Sequence, residues 1–303
     1  MRYDLIDFRL FAHIAEERNI TRGAARSFLS VPAASHRIKN LEEMLGVKLL
    51  QRNPQGVELT HGGKIYLAHA RKVFAQLELL TSDLQALGSG ITGHLTIFAN
   101  TTAISEFLPP LLGSYLPRHP NVQIDLRERL SDDAAKAVRD GAADLCIISG
   151  KVTTEGLESK VFLSSRLVVV SPPGHAATAR PQVAYADLLE EEFVSLLDGA
   201  VTQEFLRQQA LALHRQLKVR VQVAGFDAVF RMVEAGVAIA IVPELVVKRL
   251  NKGGTIGMCR LSDPWAVREF QLCSRSFDEL PLFAREFVRE LEEHTANLQR
   301  QLD

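Results

Sequence analysis

Nine lysines and arginines fall between Thr21 and Lys72, namely Arg22, Arg26, Arg37, Lys39, Lys48, Arg52, Lys64, Arg71 and Lys72. Only three acids, Glu42, Glu43 and Glu58, stand against them. A local excess of six positive charges suits a phosphate backbone, although the chain as a whole carries a net charge of -1 and residues 88–303 are net acidic. Within the basic stretch Pro32, Ser35, His36, Arg37 and Lys39 are placed on one helix where they can approach base edges, and all but Pro32 are polar or basic. A solvated helix face gives the same count, so charge supports this chemistry without establishing it.

A second set of polar residues follows apolar runs further along. Asn100-Thr101-Thr102 comes after one such run, Ser131 opens a helical pattern, and Ser149-Gly150-Lys151 follows another run. Ser195 to Thr202 repeats the arrangement. Hydroxyls and free backbone N–H groups at strand ends and helix starts can hold a small anion, and Lys151 can pair with a carboxylate. The same residues serve equally as helix caps. An enzyme is not expected: there is no phosphate-binding glycine loop, no H-E-x-x-H pair and no G-x-S-x-G elbow. The nine histidines are scattered singly, and the three cysteines form no C-x-x-C pair, so no cofactor or metal is expected and a reducing cytoplasm fits best.

The basic residues need a scaffold, and the pattern supplies one. Asp4 caps a helix with apolar Leu5, Phe8, Phe11, Ile14 and Ala15, and Asn19-Ile20-Thr21 breaks it. Thr21 is expected to cap a short helix through Phe28, with Phe28-Leu29-Ser30 as the turn. Ser30 then caps a helix from Val31 to Leu45, with Pro32 in its first turn. At 100° per residue Ala34, Ile38, Leu41 and Leu45 lie within about 40° of one another and face a core. Pro32, His36, Lys39, Asn40 and Glu43 face away, with Ser35 and Arg37 on the flanks. Gly46 stops this helix, and strands over 47–52 and 57–60 around a turn at 53–56 make a wing with Arg52 at its tip.

The runs Ile20-Thr21-Arg22-Gly23-Ala24-Ala25-Arg26, Leu29-Ser30-Val31-Pro32-Ala33-Ala34-Ser35-His36-Arg37-Ile38 and Leu41 to Arg52, continued through Leu59-Thr60-His61-Gly62-Gly63, resemble the DNA-binding domain of LysR-type transcriptional regulators. The resemblance implies a winged helix-turn-helix over 1–61 and double-stranded DNA as partner, with Arg22, Pro32, Ser35, His36, Arg37, Lys39 and Arg52 as DNA-contacting residues. Three departures stand out. Many members carry Gln where this chain has Val31, and a larger apolar residue where it has Ala34. Gly23 replaces a better helix former, at about 1 kcal/mol.

From residue 62 to 90 the chain reads as a linker helix and hinge. Tyr66, Ala70, Val73, Leu77, Leu80, Leu84 and Leu87 recur at alternating spacings of four and three, a coiled-coil seam that needs a partner helix. A homodimer is therefore expected, and the resemblance adds a homotetramer. Gly88-Ser89-Gly90 ends the helix and supplies the hinge.

Residues 91–303 alternate strands and helices. Strands over 93–99, 122–126 and 145–148 with helices over 104–115 and 131–141 point to a doubly wound parallel sheet, continued by strands over 167–170, 193–196, 219–223, 239–242 and 269–273. Two α/β subdomains are expected, one from about 91–165 and 268–303 and the other from about 166–267, with crossings near Ser164–Leu167 and Trp265–Phe270. This stretch resembles the periplasmic-binding-protein-like effector domain of LysR-type regulators. By that resemblance Thr102, Ser131 and the turn from Leu197 to Thr202 match ligand-lining positions. With Asn100, Thr101, Ser149, Lys151 and Ser195 they make the candidate effector set, and the effector is read as a small organic acid. A solute-binding component and an architectural DNA binder are the rival readings. No segment approaches the ~20 apolar residues that cross a bilayer, and the N-terminus reads as amphipathic, unlike a signal peptide.

Overall fold

The computed structural model describes residues 4–53, 56–86, 93–150, 152–198 and 200–302. The chain divides into two compact units, the first built on residues 1–87 and the second on nearly all of 88–303.

In the first unit α1 (Leu5–Glu17) starts where the Asp4 carboxylate accepts the Ile6 N–H at 2.9 Å. Helix α2 (Ile20–Arg26) is capped by Asn19, whose side chain accepts the Arg22 N–H at 3.0 Å. Thr21 is therefore inside the helix and does not cap it. Asn19 has the extended backbone a cap needs, at φ -155°, and stands one residue before the first helical position. Ser30 caps α3 (Val31–Leu45), and Gly46 ends it in the left-handed region at φ 67°. Strands β1 (Leu50–Asn53) and β2 (Gly56–Leu59) pair antiparallel, and α4 (His61–Ala86) follows. The first strand begins three residues later than the pattern predicts, because the Glu42 carboxylate holds the approach to it. Glu42 accepts the amides of Leu49 at 2.9 Å and Leu50 at 3.1 Å.

Gly23 is not a weak point in α2. A Cβ at this position would lie 2.6 Å from Ile14 Cγ1 and 2.7 Å from Ile14 Cα, so its absence lets α2 touch the backbone of α1. The core of the unit joins Phe8, Leu10, Phe11 and Ile14 of α1 to Ala24, Ala34, Ile38 and Leu41, and the start of α4 closes it with Tyr66, Leu67 and Ala70. The Tyr66 ring stacks on Phe8 with centroids 5.1 Å apart and meets Phe11 edge-on at 5.0 Å.

The second unit begins with β3 (Gly93–Ala99). A π-helical turn, Ala103–Phe107, runs into α5 (Leu108–Tyr115). Pro109 and Pro110 at the head of α5 lack N–H groups, which breaks the single regular helix expected over 104–115. Then come β4 (Val122–Glu128), α6 (Ser131–Arg139), β5 (Leu145–Ser149) and the long β6 (Glu158–Ser171). Next are β7 (Gln182–Val183), α7 (Tyr185–Leu188), β8 (Glu192–Leu196), α8 (Val201–Ala212) and β9 (Lys218–Val223). The chain closes with α9 (Phe226–Glu234), β10 (Ala240–Pro243), α10 (Glu244–Leu250), β11 (Gly257–Leu261), β12 (Val267–Ser274) and α11 (Leu282–Leu302).

Strands β4, β3 and β5 are parallel, but β12 enters antiparallel between β5 and β6, so the sheet is mixed and the wholly parallel expectation is corrected. A strand brought in late in the chain need not follow the right-handed crossover that makes β3, β4 and β5 parallel. The first half of β6, through Arg166, pairs with β12. From Leu167 the same strand pairs antiparallel with β10 and β11. One continuous strand thus serves two lobes. In the first, Leu95, Ile97 and Leu145 pack with Phe107, Tyr115, Phe283 and Phe287. In the second, Val169, Phe193, Leu206 and Ile241 lie beneath Tyr185, and Val194, Phe226 and Val233 fill the other side.

Candidate functional site

On α3 the outward side chains are Val31, Pro32, Ala33, His36, Lys39 and Asn40, all exposed, with Ser35 and Arg37 half-buried. The His36 Nε2 lies 3.1 Å from the Asn40 amide nitrogen, and Lys39 is 3.6 Å from Glu43 on the next turn. Arg37 is held elsewhere. Its Nε donates to Asp7 at 2.6 Å and its Nη2 to Asp4, which ties α3 to the start of α1. Both carboxylates help raise its pKa against the lowering effect of burial. Arg22 is likewise occupied, reaching the Glu17 carbonyl at 2.7 Å and its carboxylate at 3.2 Å. Arg52 stands opposite Val57 in the wing, with its side chain outside the described part of the structure.

Glu42 sets the angle between α3 and the wing. Besides the two amides it accepts a hydrogen bond from Lys48 Nζ at 2.7 Å. Burial alone would raise its pKa, but the ammonium and the amides outweigh burial and hold it below the ordinary glutamate value.

The expected helical seam divides. Tyr66 and Ala70 are buried in their own unit, so they are not available to a partner helix. The 3-4 pattern alone does not reveal whether its partner is α1 or a second chain. Val73 is half-buried, while Leu77, Leu80 and Leu84 stand 37%, 54% and 60% exposed. Leu87 lies outside the described residues, as does the expected Gly88–Gly90 hinge.

In the second unit a cavity of about 360 Å³ opens where β6 and β12 pass from one lobe to the other. Asn100, Thr102 and Ser149 line it from the first lobe, Val201, Thr202 and Pro243 from the second, and Ser165, Arg166 and Arg268 lie at the crossing. Ser149 Oγ accepts from Asn100 Nδ2 at 3.2 Å and from Arg268 Nη2 at 3.1 Å. Asn100 Oδ1 in turn accepts the Ala103 N–H at 2.9 Å. Arg268 also donates to the Ser149 carbonyl at 3.1 Å, and its guanidinium lies 4.1 Å from the centre of the Phe205 ring. No carboxylate pairs with Arg268 among the described residues. Burial lowers its pKa to about 10, which leaves it charged at neutral pH. Neighbouring Arg166 is paired, 3.7 Å from Glu244.

Of the expected effector set, Asn100, Thr102, Ser149 and Thr202 come together on this cavity. Ser131 stands behind it, accepting the Ser149 N–H at 3.2 Å. Thr101 turns away to Glu128, at 2.5 Å. Ser195 lines a separate cavity of about 300 Å³ inside the second lobe, which Thr202 also borders. Lys151 lies outside the described residues. Arg268 and Ser165 escaped the sequence reading altogether. The available signal was a cation within the expected crossing over 265–270, flanked two residues away on either side by apolar Ala266 and Phe270.

Two family models match the chain. One, bacterial regulatory helix-turn-helix protein of the lysR family, covers residues 5–64, and the other, LysR substrate binding domain, covers 88–296. The HTH-type transcriptional activator IlvY of Salmonella typhimurium is 30% identical over 250 residues, covering 81% of this chain and 84% of that protein. The HTH-type transcriptional regulator AlsR of Bacillus subtilis is 28% identical over 270 residues, 87% and 89% of the two. Among solved structures, a variant of full-length OxyR from Pseudomonas aeruginosa matches with a TM-score of 0.71 at 22% identity, over 97% of this chain and 95% of that one. Full-length CbnR complexed with its target DNA matches with a TM-score of 0.58 at 21% identity, over 96% and 100%. At these identities the structures establish a shared fold. Among the described residues no helix is long and apolar enough to cross a membrane.

Proposed function

Because the chain belongs to the LysR family of transcriptional regulators, with a DNA-binding helix-turn-helix and an effector-binding domain, we propose that it binds promoter DNA as a dimer or tetramer and answers to a small carboxylate held at Arg268. Its place of action is the cytoplasm, where the DNA lies. The exposed face of α3 enters the major groove, and Leu77, Leu80 and Leu84 provide the contact with a second copy. A homodimer presents two such helices to a partly palindromic site.

One observation carries the effector reading. The Ser165 Oγ and the Arg268 Nε are buried without hydrogen-bond partners, and both residues line the same cavity. Each such atom costs about 1–3 kcal/mol, a cost that a bound acceptor relieves. A carboxylate accepts from both and meets the unpaired positive charge. Occupancy shifts the two lobes only to the extent that the acid binds one arrangement more tightly, and that shift is the signal passed to the DNA-binding units.

Calorimetric titration of the full chain and of Arg268→Gln with a panel of compact mono- and dicarboxylates tests this. Binding by the unsubstituted protein with a loss of about tenfold or more in the variant is expected. A neutral ligand bound in preference, or acids bound equally by both proteins, would overturn the assignment.

A further inference from the structure

The head of the recognition helix is apolar. Val31, Pro32 and Ala33 occupy the first three positions of α3, all exposed, and none offers a side-chain hydrogen bond. Ser30 just before them accepts the Ala33 N–H on its hydroxyl oxygen at 3.4 Å. The outward polar groups His36, Lys39 and Asn40 begin about one turn later. In the turn before α3, Phe28 stands 96% exposed with a positive φ of 56°, while Val31 is 40% exposed. An aromatic residue in the left-handed region is costly to hold. Backbone hydrogen bonds that end α2 hold it there, from the Phe28 N–H to the Ala25 carbonyl at 3.1 Å and from the Leu29 N–H to the Ala24 carbonyl at 2.9 Å, and they leave the Phe28 ring almost wholly in water. Phe28 and Val31 are thus exposed apolar side chains on either side of Ser30, the cap of α3.

The N-terminal residues of a second helix reach base edges first. In the major groove those edges differ in donors, acceptors and one apolar group, the 5-methyl of thymine. Setting an apolar side chain against a guanine or cytosine edge strips water from polar atoms and gives nothing back. Against a thymine methyl it removes two apolar surfaces from water at once. We propose that Phe28 and Val31, flanked by Pro32, read thymine through its 5-methyl group, and that hydrogen-bonded readout is left to the following turn of α3. The inference rests on the DNA-binding reading above.

The test starts by selecting a preferred duplex from a randomised pool with the full-length protein. Each thymine of that duplex is then replaced singly by deoxyuridine, which removes the methyl and leaves pairing intact. Affinity is expected to fall about four- to tenfold at one or more positions in each half-site. Phe28→Ser and Val31→Ser should each reduce or abolish the difference between the thymine and uracil duplexes. Both positions are exposed, and circular dichroism checks that the variants fold. Equal binding of every uracil duplex by the unsubstituted protein would overturn the proposal, as would full retention of the difference in both variants. Loss of affinity in Phe28→Ser on thymine and uracil duplexes alike would assign Phe28 to the sugar-phosphate backbone and remove it from the readout. Recovery of no preferred duplex at all would instead sink the DNA-binding reading, and this inference with it.

Discussion

Ser165 and Arg268 stand directly opposite one another in the β6–β12 ladder, and each keeps a buried polar atom without a partner. Opposed residues of an antiparallel pair project from the same face of the sheet, so the hydroxyl and the guanidinium address one space. That space lies where both strands cross between the lobes, and the second lobe closes on the cation through Phe205.

A consequence for stability follows from the same geometry. An unpaired cation in a buried site is a burden on the empty protein. Arg268→Gln should therefore leave the thermal midpoint unchanged or raise it while abolishing the acid's stabilising effect. Differential scanning fluorimetry with and without the acid reads both; a large drop in the empty variant's midpoint would show that Arg268 is needed for the fold instead.

Glu42 should make the first unit sensitive to acid. Its pKa is lowered on folding, so its contribution is fully present above the ordinary glutamate value and disappears as pH falls through the folded one. Glu42→Gln should cost about 1–3 kcal/mol near neutral pH. The gap from the unsubstituted protein should narrow on acidification. Urea melts over a pH series would show this; a gap that stays constant would contradict it.

Gly23→Ala sets two effects against each other. Helix propensity alone favours alanine by ~1 kcal/mol. The added Cβ would press on the Ile14 backbone at 2.7 Å, and overpacking of that kind costs about 1–3 kcal/mol. The clash should win or at least cancel the gain, so the urea midpoint should fall or stay level. A clear rise would mean that α1 and α2 can separate cheaply.

Leu80→Glu and Leu84→Glu place charge on the exposed part of the α4 stripe. Sedimentation equilibrium should show the unsubstituted chain as a dimer or larger and the double variant shifted toward monomer. Far-ultraviolet dichroism should stay close to that of the parent. An unchanged mass would move the self-association surface elsewhere. Tyr66→Ala, by contrast, should unfold the first unit before it affects association, because its ring packs on Phe8 and Phe11.

Local rules made much of the architecture legible. Asp4, Ser30 and Gly46 mark helix ends by chemistry that acts within three residues, and all three cap as read. Thr21 was expected to cap α2 and Asn19 does so instead, because it is the residue with extended backbone just before the first helical position, a matter of geometry that composition does not decide. The 3-4 spacing from Tyr66 to Leu84 located a helix correctly but could not identify what covers each turn, since α1 and a second chain satisfy the same pattern. In the candidate effector site, Asn100, Thr102, Ser149 and Thr202 were visible because each lies at a strand end or a helix start. Arg268 was not visible, because its meaning depends on Ser165 and Phe205, partners fixed only by tertiary pairing.

The most direct test of the whole account is a titration of the purified chain against labelled duplex from immediately upstream of its own gene. A scrambled duplex of equal length runs beside it, at ~50 and ~200 mM salt. The account predicts clear preference for the native duplex, affinity that drops by about tenfold or more at the higher salt, and a changed complex when the Arg268-dependent acid is added. Absence of binding to either duplex at the lower salt would contradict it.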